Sequence, residues 1–587
     1  MRLHRASRAA VELAVLFLAG CNAIVGLRDV EEGSLSPDDG GALDASKDGA
    51  STTDGATTTD GAVRADGAAS DGAVTSDSAS DADVGDGDAG AGDAGAIDAG
   101  ASDAGASVGG VLHFLQSGGS VTLSSGGANA ITLTANGAFQ LPVTGAYDVV
   151  VTTQPAGQSC WVTNGKGNAS SPAAGLEVRC TVVRRSVDTA TVDRSFSAAS
   201  YQAMDDLDGI TLQTDVPAAA LVYVSVPSID MIDPAFTAPK YAIAVFIDNQ
   251  PVAEALTRVH FAAGANQTPV TAFATPTLTV GPHTIQARWQ RVSGTEAPIR
   301  NAKTPWGTAI HAELGAIVLD SLPSFDRLAR TSTKTAFTVP SVGVDTDIGI
   351  PTLGLDLPAK QPVLLMGSVP DLSLETDTSL LLDGSAVASQ RYRDNDPSFT
   401  SVTSPTPMLL RSLAAGKHSV DARVRWLGLG GGATYAGGGD SRAAALTALL
   451  FKPAAVTAAW ESELKDTRLP APATAPSLTS ISPVVSVTTT KASKALVMLD
   501  VTRAGASDES NGNEWPVEVA VFLGSAQGPT ILAGRGNWGD YLRSNLGNRL
   551  AIVDLPPGTT NLDLRFRFGG GGPMAYLGAR MGVIVLE

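Results

Sequence analysis

Few side chains in this 587-residue sequence are of the types that do chemistry. Five of its six histidines follow residue 20: His113, His260, His283, His311 and His418. There is no His-Glu-x-x-His, no Gly-x-Ser-x-Gly elbow, no Walker loop and no Cys/His zinc spacing, so the common hydrolase and transferase signatures fail. His283 and His418 hold matching places in an internal repeat, which would suit a metal on a threefold axis. The third copy has Thr560 there, and two ligands do not make a zinc site. Paired carboxylates of a glycoside hydrolase need not be close in sequence, but nothing singles a pair out. Asp248-Asn249 and Asp383-Gly384 read as hairpin tips, where turn chemistry is reason enough for them, and Gly524 stands there in the third copy. Arg288, Arg423 and Arg565 recur in all three copies on a polar strand face, as a ligand or inter-domain contact or as solvent-facing arginines. Trp306, Trp515, Trp538 and Tyr541 lie in Gly/Asn/Pro-rich stretches and could stack on sugar rings or simply pack. No catalytic residue, metal or cofactor is expected.

The elements that carry these residues follow from composition. Between Pro37 and Ser107 there are sixteen Asp, no Glu, one Lys and one Arg, so this stretch holds 2 − 16 = −14 of the formal net charge of −19. Asp-Gly-Ala and Asp-Ala-Gly triplets recur through it, too polar and glycine-rich to bury a core, which predicts a disordered spacer over 37–108. A calcium-binding Gly/Asp repeat would need a regularly placed apolar residue, and only Val84 and Ile97 are at hand. The remainder is only mildly acidic, so neither a nucleic-acid surface nor a polybasic membrane patch is indicated. With 17% charged residues, 63 Gly and 33 Pro, helical bundles and doubly wound α/β folds are disfavoured, and an all-β chain is expected.

Arg2, Arg5 and Arg8 precede the mostly apolar run Ala9 to Ala19, the pattern of a signal peptide (1–20) and too short to span a bilayer. The run ends in Leu18-Ala19-Gly20-Cys21, which resembles the bacterial lipoprotein lipobox. That resemblance implies a lipid anchor at Cys21, and Asn22 in place of Asp favours the outer membrane, on its outer or periplasmic face. With Cys21 lipidated, residues 21–36 form the mature amino terminus, and Cys160 and Cys180 remain as an even pair in an oxidising compartment, expected to form a disulfide.

Seven short β-like runs separated by turns fill residues 109–185, from Val111–Leu115 to Leu176–Val183, and Asn136-Gly137 gives a strong hairpin signal. A small β-sandwich is expected. Thr134-Ala-Asn-Gly-Ala-Phe139, Gln154-Pro-Ala-Gly157, Cys160 and Val178-Arg-Cys-Thr181 resemble a small domain of bacterial surface proteins, disulfide included. His113 reads as an ordinary strand residue.

The last 400 residues or so repeat themselves. Gly281-Pro-His-Thr-Ile-Gln-Ala-Arg288, Gly416-Lys-His-Ser-Val-Asp-Ala-Arg423 and Gly558-Thr-Thr-Asn-Leu-Asp-Leu-Arg565 start 135 and 142 residues apart, and each copy closes on an apolar strand. Alternation of Ile285, Ala287 and Trp289 with Gln286 and Arg288 makes the segment a strand with one buried face, which needs a second sheet to cover it. Three jelly-roll-like repeats follow, 186–323, 324–453 and 454–587. The order of a Gly-x-His-Thr-Ile strand, a basic-aromatic end, a Gly/Thr-rich loop and an apolar last strand resembles jelly rolls of the C1q and tumour-necrosis-factor group. Because such domains usually form trimers, the resemblance implies an intramolecular pseudo-trimer; beads on a string is the rival. The function expected is a non-enzymatic surface binding or adhesion protein with an unknown protein or polysaccharide ligand. A carbohydrate-binding array, and after it a surface glycoside hydrolase, are the alternatives.

Overall fold

The computed structural model divides into two units, Met1–Ile97 and Asp98–Glu587. It describes residues 107–587 except 231–239, 261–267, 295–298, 393–401, 428–432, 436–442, 462–467, 471–477, 507–516, 534–546, 569–573 and a few shorter stretches. The leader, Cys21 and the acidic segment to residue 106 lie outside the described residues. What is described is all-β, with one short 3-10 turn at Leu319–Ser321 as its helical element.

Two four-stranded sheets form the small sandwich. One orders 137–142, 107–113, 177–180 and 160–163; the other orders 129–133, 121–125, 146–153 and 166–168. Cys160 and Cys180 face each other on neighbouring strands and are bonded. Two expectations change here. The strands flanking Asn136-Gly137 pair with different partners, 129–133 with 121–125 and 137–142 with 107–113, so this turn is a corner between sheets rather than a hairpin. The Asn136 amide is spent on the Leu115 backbone, accepting from its N–H at 2.7 Å and donating to its carbonyl at 2.9 Å, which fixes that corner. The run Leu176–Val183 is divided as well: Glu177–Cys180 stays in the small sandwich, while Val182–Val187 joins the first repeat.

Each repeat has eight main strands. Repeat 1 has β1 (Val182–Val187), β2 (Ile210–Thr214), β3 (Ala218–Asp230), β4 (Lys240–Ile247), β5 (Gln250–His260), β6 (Thr268–Ala274), β7 (Gly281–Ser293) and β8 (Glu313–Val318). Repeat 2 has β9 (Phe325–Thr333), β10 (Leu353–Leu357), β11 (Gln361–Ser368), β12 (Thr376–Leu382), β13 (Ser385–Tyr392), β14 (Met408–Leu413), β15 (Gly416–Trp426) and β16 (Ala444–Phe451). Repeat 3 has β17 (Thr457–Glu461), β18 (Val485–Thr489), β19 (Ser493–Ala506), β20 (Val517–Leu523), β21 (Ala526–Ala533), β22 (Gly547–Leu555), β23 (Gly558–Phe568) and β24 (Met574–Val585). Repeat 1 pairs these as β1-β8-β3-β6 and β2-β7-β4-β5, and its counterparts do the same, which is the strand order of a jelly roll. Ile285, Ala287 and Trp289 on β7, Val420, Ala422 and Val424 on β15, and Leu562, Leu564 and Phe566 on β23 point into three separate cores, as their alternation requires.

The inner strands of the β1-β8-β3-β6 sheets are buried on both faces, β8 and β16 along their whole length. Every residue of β11 is buried, which one sandwich alone cannot achieve. Leu221, Leu364 and Leu496 occupy matching registers opposite Ile317, Leu449 and Ile584. All six side chains meet in a fourth apolar cluster, together with Tyr223, Met366 and Met498.

Three seams of one kind surround this cluster. Between repeats 1 and 3, the Leu550 N–H donates to Ser225 Oγ at 3.1 Å and the Ile552 N–H to Glu313 Oε1 at 2.7 Å. A Cβ on Gly547 would lie 2.3 Å from Pro269 Cγ, so only glycine allows that approach. Between repeats 3 and 2, the Met408 N–H donates to Asp500 Oδ2 at 3.3 Å, repeating the first bond from the matching position, and Gln390 Nε2 donates to Asp500 Oδ1 at 3.0 Å. Between repeats 2 and 1, Arg330 pairs with Glu254 and donates to the Thr275 carbonyl at 2.9 Å. Each seam sets the third strand of one repeat's first sheet, at Ser225, Asp500 and Ser368, against the fifth or sixth strand of the next. A head-to-tail contact that closes after three copies makes a ring.

The small sandwich docks at the end of this ring where the second-to-third strand turns lie. His113 pairs with Asp215, the Trp161 indole N–H donates to the Ser321 carbonyl at 3.2 Å, Lys452 lies 5.4 Å from the Trp161 ring centre, and Lys491 reaches Ser159. All three repeats therefore touch it. At the opposite end β3, β5 and β7 finish, and so do their counterparts.

Candidate functional site

Four histidines have described side chains, and each is bonded to an aspartate. His283 Nδ1 lies 2.8 Å from Asp248 Oδ2, its Nε2 lies 2.8 Å from the Thr279 carbonyl, and the Thr284 N–H donates to Asp248 Oδ1. His418, Asp383, Ala414 and Ser419 repeat this at 2.8, 3.0 and 2.9 Å. The aspartates sit at the hairpin tips in the left-handed region, with φ of 51° and 52°, where Asp is tolerated. Each staples its tip to the start of the seventh strand. The Asp383 hydrogen bond, then the Ala414 carbonyl, raise the His418 pKa above its ordinary value, while the His418 bond and the Ser419 N–H hold Asp383 below its own. Both ring nitrogens of these histidines are occupied, so neither is available for proton transfer or for a metal. Repeat 3 lacks the side-chain staple and keeps only the backbone bond common to all three copies, Gly524 N–H to the Asn561 carbonyl at 2.7 Å, matching Asp248 to Thr284 and Asp383 to Ser419, both at 2.9 Å.

His113 and His311 differ, because their bonds to Asp215 (2.6 Å) and Asp188 (3.2 Å) use Nδ1 alone. His113 lies in the joint between the small sandwich and repeat 1, so it is more than a strand residue. His311 has the orientation of a general base: a buried aspartate fixes its tautomer, the buried Arg300 in turn pairs with that aspartate, and the ring is 41% exposed. No group of three metal-ligating side chains occurs among the described residues. His260 ends β5.

The recurrent arginines lie on the outer face of the second sheet. The Arg288 guanidinium is 4.4 Å from the Phe246 ring centre and Arg565 is 4.1 Å from that of Phe522, the matching residue. Arg565 also donates to Asp563 at 2.6 Å, while Arg423 is exposed beside Leu381, which has no ring to cover. The contacts of Arg288 and Arg565 fall within their own repeats. Trp306 is half-buried and lies under Arg567 of repeat 3, 4.4 Å from its guanidinium. Arg567 also pairs with the buried Glu518 and donates to Thr308 at 2.6 Å. Trp515, Trp538 and Tyr541 lie outside the described residues.

The buried polar groups at the seams were not singled out from sequence. Tyr223 donates to Glu313 at 2.5 Å, and burial drives both groups upward in pKa. Asp500 is fully buried, and desolvation pushes it up to about 6 against the pull of Arg580. Their signal was available: Tyr223 and Asp500 lie within apolar runs that do not alternate, and Glu313 stands at the head of one.

No family model matches the sequence. No curated protein matches it either. Among solved structures the chain is similar to PNGF-II in two crystal forms, at 12% identity over 56% of this chain and 84% of that one, with TM-scores of 0.22 and 0.20. It is also similar to dimeric latent PorU from Porphyromonas gingivalis, at 10% identity over 63% of this chain and 33% of that one, with a TM-score of 0.14. Likeness at this level carries no activity across.

Proposed function

We propose that the chain is a non-enzymatic outer-membrane lipoprotein, anchored through Cys21, whose acidic tether displays a binding head made of the small sandwich and a pseudo-trimer of the three repeats. One observation carries the reading: three quasi-equivalent seams bury the first sheets, and the small sandwich covers one end of the ring. The tether enters through the small sandwich, so the opposite end is the one to meet a protein or polysaccharide ligand. The carbohydrate reading loses one of its candidate stackers, since the Trp306 ring is engaged by Arg567.

The experiment is binding of fragment 107–587 to a panel of envelope polysaccharides and envelope extracts. A polymer-labelled Ser293→Cys, at the far end of β7, should block binding, and a labelled Lys417→Cys, at the start of β15, should not. Equal blockage at both positions overturns the orientation. No saturable binding together with measurable turnover of a polysaccharide overturns the non-enzymatic reading. For the anchor, Cys21→Ser should release the protein from the membrane fraction.

A further inference from the structure

Among the described residues, Asp500 is the one fully buried carboxylate that crosses the seam between repeats 3 and 2. It lies on β19, flanked in register by Asn548 of β22 and Arg580 of β24. Its exposure is 0%, and its partners across the seam are neutral donors, Gln390 Nε2 at 3.0 Å and the Met408 N–H at 3.3 Å. The Gln390 side chain is itself tied into repeat 2, since its Oε1 accepts from the Thr406 N–H at 2.7 Å. The cation of its own repeat, Arg580, stands off at 3.5 Å. The charged group next along β22, Arg549, turns away and donates to the carbonyls of Thr530 and His311 at the other seam. From β13 and β14 the described groups facing Asp500 are Gln390 and the Met408 N–H, neither of which titrates.

We propose that the seam between repeats 2 and 3 is a proton-operated joint, clamped most firmly when the Asp500 carboxyl is protonated and loosened as it ionises. A carboxylate removed from water needs full charge compensation, and one cation at 3.5 Å with two neutral donors leaves it under-compensated. The neutral acid sheds that penalty; the Gln390 and Met408 donors by themselves favour the ionised form, and desolvation outweighs them. Repeats 1 and 2 place Ser225 and Ser368 at the matching positions; the buried carboxylate of the seam between repeats 1 and 3 is Glu313, in register with Ser225 and held by the Tyr223 hydroxyl and the Ile552 N–H. Because Gln390 and Met408 belong to one repeat and Asp500 to the next, the proton acts on the contact between repeats rather than on either sandwich alone. The direction agrees with the raised pKa: the folded value of about 6 exceeds the ordinary 3.8, so this stability is present below 3.8 and is lost as pH rises through 6.

The test compares the full head with Asp500→Asn, which mimics the neutral acid. The unfolding constant of the unaltered protein, taken relative to the variant at each pH, should rise about fiftyfold between pH 4 and pH 7. A ratio that stays flat overturns the proposal. Should the variant fail to fold, the unaltered protein labelled with carbon-13 at its aspartate carboxyls gives the same answer. One buried resonance should titrate near 6, with the Met408 amide exchanging faster above that pH once the intrinsic rate is removed. Every aspartate titrating below about 5, or no change at Met408, refutes it.

Discussion

Leu364 discriminates most sharply between a closed ring and separate repeats. It lies on β11 with its side chain in the cluster shared by all three repeats and has 0% exposure, while its neighbour Leu365, also at 0%, points into the core of repeat 2 itself. Truncating a buried leucine to alanine costs about 2–5 kcal/mol, from the lost transfer energy and the cavity left behind. In the ring, Leu364→Ala and Leu365→Ala should both fall in that range. If the repeats were independent beads, Leu364 would stand on an outer sheet face in water, and its truncation would be worth no more than about 0.5 kcal/mol. Leu365→Ala would still cost its full amount, so it serves as the internal control. The assay is guanidinium denaturation of fragment 107–587, followed by tryptophan fluorescence and by circular dichroism. A large loss for Leu365→Ala beside a negligible one for Leu364→Ala would refute the closed ring.

Two further outcomes follow from the geometry. The staple between Asp383 and His418 is strongest where both are charged: the Asp383 contribution is lost as pH falls through its lowered pKa, and the His418 contribution is lost as pH rises through its raised one. In Asp383→Ala the His418 imidazole should titrate lower than in the unaltered protein when followed by NMR, and an unchanged midpoint would break the assignment. Replacing Cys160 and Cys180 by serine opens a loop of sequence separation 20 and should cost roughly 3 kcal/mol in the small sandwich, read as a lowered denaturation midpoint. An unchanged midpoint would mean that the bond constrains nothing.

Much of the architecture was legible from sequence because strands advertise one buried face by alternation. Ile285, Ala287 and Trp289 announced both the strand and its need for a second sheet, and recurrence of the pattern announced three copies. Runs such as Val363-Leu364-Leu365-Met366 do not alternate, and their second apolar face is what packs against the other repeats. The Asn136-Gly137 signal misled because a dipeptide reports a turn and not the strands it joins; the Asn136 side chain, bonded to Leu115, settled that corner. His283 and Asp248 were each assigned a local role, and their bond spans 35 residues that sequence alone does not bring together. Trp306 read as a candidate for sugar stacking because its partner, Arg567, comes from another repeat.

The most direct measurement of the central claim is small-angle X-ray scattering from fragment 107–587. A closed ring with the small sandwich docked on it should have the radius of gyration of one compact body of its length, about 23 Å. A radius above about 30 Å, with the scattering profile of a rod, would mean that the sandwiches are strung out, and the shared cluster and its three seams would not exist in solution.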